Sequence, residues 1–202
     1  MATPTPIIDG EIVVTPSSVT VGNSVSLSIK GFRNDGIFNG TSNSVNLAVG
    51  GGTFAGNNFS IVGWIRPSSV DAGRRVIFST NPSGVNSGWA LRIEGGQLYW
   101  SCWDGYYSQW TNIIDTETLT VNTWYHVAGV VEARADGFKN FRLYKNGVRI
   151  NETIIGRIGY PATSPLQAGS TNDSVSGFYG GHIRWIDGFN YALTDSEVAG
   201  LF

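Results

Sequence analysis

Apolar and polar positions alternate along most of this chain, and the alternation is clearest over residues 123–150. That stretch reads T-W-Y-H-V-A-G-V-V, then a charged interruption, then F-R-L-Y-K-N-G-V-R-I. Aromatic and β-branched residues dominate both runs, and these fit a pleated, half-buried surface. In the first run Trp124, His126, Ala128 and Val130 share one face, with Tyr125, Val127, Gly129 and Val131 on the other. Neither face is charged, so this strand is expected to be covered on both sides. Asn146-Gly147 supplies the two positive φ values of a type I′ turn, which folds residues 148–150 back as another strand. Residues 132–140 read as a solvated hairpin loop around Asp136-Gly137.

The same signal predicts further strands. Residues 59–66 place Phe59, Ile61 and Gly63 on one face and Ser60, Val62 and Trp64 on the other. Strands follow at 76–79, 111–116, 153–155 and 181–189, and residues 89–93 and 98–102 form a hairpin about Gly95-Gly96. Near the C-terminus Thr194 suits a helix N-cap, and Glu197 three residues later completes a capping box for a short helix. Residues 1–30 stand apart: a Thr-Pro tip, short apolar pieces, then alternation over Val25, Leu27 and Ile29. They read either as edge strands of the sandwich or as an arm that docks on a partner or a second copy. The expected organisation is therefore an N-terminal segment, 1–30, and a main domain, 31–202.

Several of these strings resemble one family in order over residues 36–202. W-Y-H-V-A followed by L-Y-K-N-G is similar to the W-x-H-V-A…L-Y-x-N-G pattern of the laminin-G-like and pentraxin-like branch of the concanavalin A-like lectin/glucanase superfamily. Residues 38–47 resemble its F-D-G-x-x-D-Y-V-x-L opening, 59–67 its F-T-x-x-x-W-x-x-P, and 190–198 its N-x-A-L-S-D-x-E-I. The resemblance implies an all-β fold: a concanavalin A-like jelly-roll sandwich of two antiparallel sheets with a short C-terminal helix. It also implies calcium ligands at two places, which here hold Asn43 and Arg184. Calcium takes six to eight oxygen ligands with negative charge among them. An arginine there puts a cation in the site, so no metal is expected at these positions. Asp173 and Asp187 are scattered acids and read as solvated.

Composition narrows the function. Charged residues make up only 14%, while Gly numbers 27 and Trp 7, which suits a sandwich with long loops over a helical bundle or a disordered chain. Formal net charge is −2 without a basic block, which argues against nucleic acid or an anionic membrane as partner. No apolar run approaches the length of a membrane-spanning helix. A single cysteine, Cys102, leaves no intramolecular disulfide, so stability must come from the core. Met1 precedes A-T-P-T-P with no basic-then-apolar segment, so the expectation is cytoplasmic production and a place at an extracellular or virion surface. Asn39, Asn58, Asn151 and Asn172 lie in N-x-S/T strings and read as exposed positions.

Candidate chemistry is sparse. Retaining glucanases of the superfamily carry E-x-D-x-x-E on one strand, because two carboxylates about 5 Å apart must serve as nucleophile and acid/base. No such string occurs here. Asp115-Thr116-Glu117 reads as a turn, Asp195-Ser196-Glu197 as helix capping, and Glu94 as a hairpin end. His126 reads as a packed core histidine, His182 as an edge residue, and Cys102 as a small buried hydrophobe. No catalytic residue and no cofactor is expected.

The densest aromatic run is Y-W-S-C-W-D-G-Y-Y-S-Q-W, residues 99–110. Alternation sends Leu98, Trp100 and Cys102 to one side and Tyr99 and Ser101 to the other. Trp103, Tyr106, Tyr107 and Trp110 then fall at or near a loop, where amphipathic rings suit stacking on sugar faces or packing in a protein interface. Asp104, Gln109 and Asn112 are the polar groups that would orient a sugar. The reading is a non-catalytic recognition or structural module: a surface or decoration component of a virion or extracellular assembly, with a capsid or tail protein as partner and a glycan-binding face. Its alternative is a free-standing lectin-like carbohydrate-binding domain; a glycoside hydrolase is a distant third. Residues 1–30 are the candidate interface for a homo-oligomer.

Overall fold

The computed structural model describes residues 29–31, 36–42, 44–46, 58–80, 86–159, 166–171 and 177–202. Thirteen strands and one helix occur among them: β1 (Ile29–Gly31), β2 (Gly36–Asn39), β3 (Val45–Asn46), β4 (Phe59–Pro67), β5 (Arg75–Ser79), β6 (Trp89–Glu94), β7 (Gln97–Asp104), β8 (Gln109–Thr118), β9 (Tyr125–Ala133), β10 (Lys139–Lys145), β11 (Val148–Ile155), β12 (Gln167–Ala168), β13 (Gly180–Phe189) and α1 (Asp195–Leu201). They form two antiparallel sheets. The seven-stranded sheet runs β1-β13-β4-β9-β10-β11, with β2 also paired to β13. The six-stranded sheet runs β3-β12-β5-β6-β7-β8. This is the sandwich of two antiparallel sheets that the resemblance implies.

Large side chains from both inner faces interlock between the sheets. Trp100 of β7 stacks on Phe141 of β10 at 4.8 Å, and Phe59 of β4 stacks on Trp89 of β6 at 5.5 Å. Leu98, Trp100 and Cys102 all face this core, as their alternation requires. Burial raises the Cys102 thiol pKa well above its usual value, so the residue acts as a small hydrophobe. Gly129 is needed on β9 because a Cβ there would stand 2.7 Å from the Trp100 indole.

The outer face of the seven-stranded sheet is covered over one half. Val62, Ala128, Val130 and Tyr144 pack there against Phe189, Leu193 and Val198. The capping box at Thr194 and Glu197 forms as expected. Ser60 fastens the segment before the helix: its hydroxyl donates to Tyr191 O and accepts from Leu193 N, both at 2.9 Å. Tyr144 donates its hydroxyl to Asp195 at 2.7 Å, tying helix to sheet. So β9 is covered on both faces.

Three expectations change. The strand predicted over 111–116 runs on to Thr118, so the Asp115-Thr116-Glu117 string lies in β8 and not in a turn, and Asp115 and Glu117 both bind Lys145 Nζ across the two sheets, at 2.5 and 2.7 Å. His182 lies in β13, which is flanked by β2 on one side and β4 on the other, so it is no edge residue. The strand after Asn146-Gly147 runs unbroken to Ile155. Both turn residues take positive φ, 52° and 76°, as the turn type requires. Of the N-terminal segment only Ile29–Gly31 is described at its end; it pairs with β13 at the sheet edge and spans the expected boundary at residue 30. Residues 1–28, Asn43, Asn172 and Asp173 lie outside the described residues.

Candidate functional site

The β7–β8 hairpin carries the predicted aromatic cluster to one end of the sandwich. Trp103 and Trp110 oppose each other in register and meet edge to face at 5.9 Å. Alternation puts them on the outer face of the six-stranded sheet with Asn112, and Gln109 on the opposite side of β8 from Trp110. Tyr106 and Tyr107 occupy the turn, 64% and 55% exposed, with their rings 4.9 Å apart. Tyr106 also reaches Phe138 in the β9–β10 loop at 5.6 Å, so both sheets contribute to this end.

The segment after β11 is the bed on which these rings lie. Gly156 packs against the Tyr106 side chain, and a Cβ at Gly159 would stand 2.7 Å from Trp103 Cδ1. The backbone of this segment pairs with the hairpin through Gly105 N to Arg157 O at 2.8 Å and Gly159 N to Trp103 O at 2.9 Å. Only glycine lets a chain pass so close beneath an indole and a phenol.

Asp104 organises this junction from inside. It is 1% exposed, and its carboxylate accepts from the backbone N–H groups of Tyr106, Tyr107, Gly156 and Arg157, the shortest at 2.7 Å. Lys139 is buried nearby, its pKa lowered by desolvation against the opposing pull of Asp104. Asp104 therefore holds the hairpin tip in shape; its oxygens are turned away from any sugar at the surface. Asn112 is exposed and accepts from Arg92 at 3.4 Å, and Gln109 is exposed at the start of β8. The structure thus gathers Trp103, Trp110 and Asn112 on one face and the two tyrosines at its end, and sets Asp104 and Gln109 apart.

A second cluster lies on the outer face of the seven-stranded sheet, beside the part that α1 covers. Register places Arg184, Trp64 and His126 side by side across β13, β4 and β9, with His182 and Arg66 as the adjacent pair. The Arg184 guanidinium lies 4.0 Å from the Trp124 ring centroid, and the Arg66 guanidinium lies 5.5 Å from the same ring. Arg66 donates to His182 Nε2 at 2.7 Å; arginine has no acceptor, so the imidazole proton sits on Nδ1. Phe202 stacks on Trp64 at 5.6 Å and borders the cluster. His126, 1% exposed beneath, has its pKa lowered to about 4 by burial and is a neutral core group. Sequence reading singled out Trp64, Trp124, His126, His182 and Arg184 one at a time, passed over Arg66 and Phe202, and brought none of them together. The signal available was the alternation of Trp64 with Arg66 and of His182 with Arg184; pairing of β13 with β4 is long-range and has no local mark.

The acids weighed as a dyad are engaged elsewhere. Asp115 and Glu117 hold Lys145, Asp195 holds Tyr144 and Arg149, and Glu94 pairs with Arg92. Among the described residues no group of three or more His, Cys, Asp or Glu is placed to hold a metal ion. Arg184, at the family's calcium position, lies against Trp124.

The sequence matches a laminin-G-type family of the Concanavalin A-like lectin/glucanases superfamily over residues 39–199. No curated protein sequence matches the chain. Among solved structures, it is similar to the Ruminococcus gnavus IT-sialidase CBM40 bound to alpha2,3 sialyllactose, with 16% identity and a TM-score of 0.65 over 85% of this chain and 99% of that one. It is also similar to the botulinum neurotoxin serotype D binding domain, with 19% identity and a TM-score of 0.62 over 87% of this chain but only 46% of that one. At these identities the likeness is one of fold.

Proposed function

Because the chain belongs to the concanavalin A-like lectin/glucanase superfamily, we propose that it is a non-catalytic carbohydrate-binding module whose glycan-contacting surface is the tip of the β7–β8 hairpin. The observation that carries this reading is the pair of exposed tyrosines, Tyr106 and Tyr107, on a tip held rigid by Asp104 and seated on Gly156 and Gly159. An aromatic ring held in place offers an apolar face to a pyranose without a further ordering cost, and its hydroxyl can bond the ring's substituents. Trp103, Trp110 and Asn112 extend the same surface along the sheet. The resemblance to a sialyllactose-bound carbohydrate-binding module supports this reading over a structural role in a virion or other assembly.

The test is retention of the full chain on immobilised glycans. Trp103 is a poor probe, because it packs on Gly159 and its loss would disturb the fold. Tyr107 is exposed and is the cleaner one. Tyr107→Ala should reduce retention about tenfold, the value of roughly 1.4 kcal/mol of lost stacking, with thermal stability unchanged. Retention that is absent in the native chain, or indifferent to both Tyr106→Ala and Tyr107→Ala, would sink the reading.

A further inference from the structure

The second cluster collects two cations and several indoles on one patch. Arg184 lies over Trp124, and within 5.3 Å of the Trp185 ring centroid and 5.7 Å of Trp64. Arg66 shares the Trp124 ring, and its hydrogen-bonded neighbour is His182. Its Nε is buried without a hydrogen-bond partner among the described residues, and Arg66 is in none of the ion pairs found among them. The Arg66 cation has no counter-charge in those ion pairs, and an anion beside it relieves that charge. Cation–π contact fixes the planes of the guanidiniums, so their donor edges are oriented before a ligand arrives.

The backbone is distorted at the same place. The pairing of β13 with β4 shifts between Arg184 and Asp187, a bulge in the interior of a sheet. Trp185, within that bulge, takes φ of 52° and is 50% exposed. Positive φ is rare for a bulky residue, and an indole left half in water gains little to offset it. The bulge does one visible thing: it turns an aromatic ring outward beside Arg184.

We propose that Arg66 and Arg184, with Trp124 and Trp185, form a second binding site, which takes the carboxylate of an acidic sugar. The guanidiniums match a carboxylate by paired N–H donors, and the outward Trp185 ring offers a face for the apolar side of the pyranose. The inference rests on the glycan-recognition reading above and adds the charge class of the glycan. The carboxylate can belong to a sialic acid or to a hexuronic acid, since the arginines read only the shared group.

The experiment is calorimetric titration of the full chain with 3′-sialyllactose against lactose, and with a glucuronate-terminated disaccharide against its neutral glucose counterpart. At least one acidic glycan should bind tenfold or more tightly than its neutral partner, with affinity falling as salt rises. Arg66→Gln should abolish that preference, Arg66→Lys should lose most of it for want of the planar fork, and Tyr107→Ala should leave the preference intact. If Arg66→Gln lowers the melting temperature, Arg184→Gln and Trp185→Ala carry the same test. Equal binding of acidic and neutral glycans, or a preference that survives the arginine changes, overturns this site while leaving the hairpin-tip reading standing. Failure to bind any glycan overturns both.

Discussion

Asp104 and His126 are both polar and both buried, but only Asp104 is satisfied: the His126 Nδ1 has no hydrogen-bond partner among the described residues. Asp104 accepts four backbone N–H groups from two segments, so its charge is spread over donors that have no other acceptor there. Asp104→Asn keeps the shape but turns an amide N–H₂ toward those donors. It should cost about 2–3 kcal/mol, read as a lowered midpoint in urea. His126 has only burial acting on it, which lowers its pKa from 6.5 to about 4. The unfolded chain therefore takes up a proton below pH 6.5 that the folded chain refuses until about pH 4. Stability from this group is level above pH 6.5 and falls as pH drops toward 4, by about 3 kcal/mol in all. Urea midpoints from pH 7 to pH 4 should show that slope, and His126→Leu should remove its share of it.

At the scale of elements, local chemistry was readable and long-range pairing was not. The Asn146-Gly147 turn, the Gly95-Gly96 hairpin and the Thr194 capping box each depend on residues within a few positions of one another, and each forms as the sequence predicts. Asp115 and Glu117 misled because acids are depleted in strands; their partner, Lys145, comes from the other sheet. His182 misled because nothing in its neighbourhood says which strands will flank β13. The faces of β9 were correct, and Gly129 shows why its inner face needs one glycine. Gly129→Ala should lower stability by about 1–3 kcal/mol, because the Trp100–Phe141 stack cannot retreat from an added methyl. Equilibrium unfolding would show it, and a neutral result would mean the core is looser than these contacts imply.

For the whole molecule, one core joins the two sheets, and the second cluster of packed residues ties α1 onto the seven-stranded sheet. Neither sheet can keep its buried face without the other. Tryptophan fluorescence, to which the buried Trp89 and Trp100 contribute, and far-ultraviolet dichroism should therefore change together in a single coincident transition. Separate midpoints would mean that one sheet persists alone.

The sequence by itself determined most strand positions, the terminal helix and the aromatic hairpin, because each is written in period-two alternation or in residues adjacent along the chain, and its resemblance to a known family supplied the fold class. It also held Trp103, Trp110, Tyr106 and Tyr107 near one loop, since a hairpin brings its own neighbours together. Only the tertiary structure decided that Asp104 points inward, because its donors at Gly156 and Arg157 lie far along the chain. Only the tertiary structure placed Arg66, Trp124 and Arg184 on one patch. They come from three strand regions whose order in the sheet follows from how the whole core closes, and closure is a property of all the side chains at once.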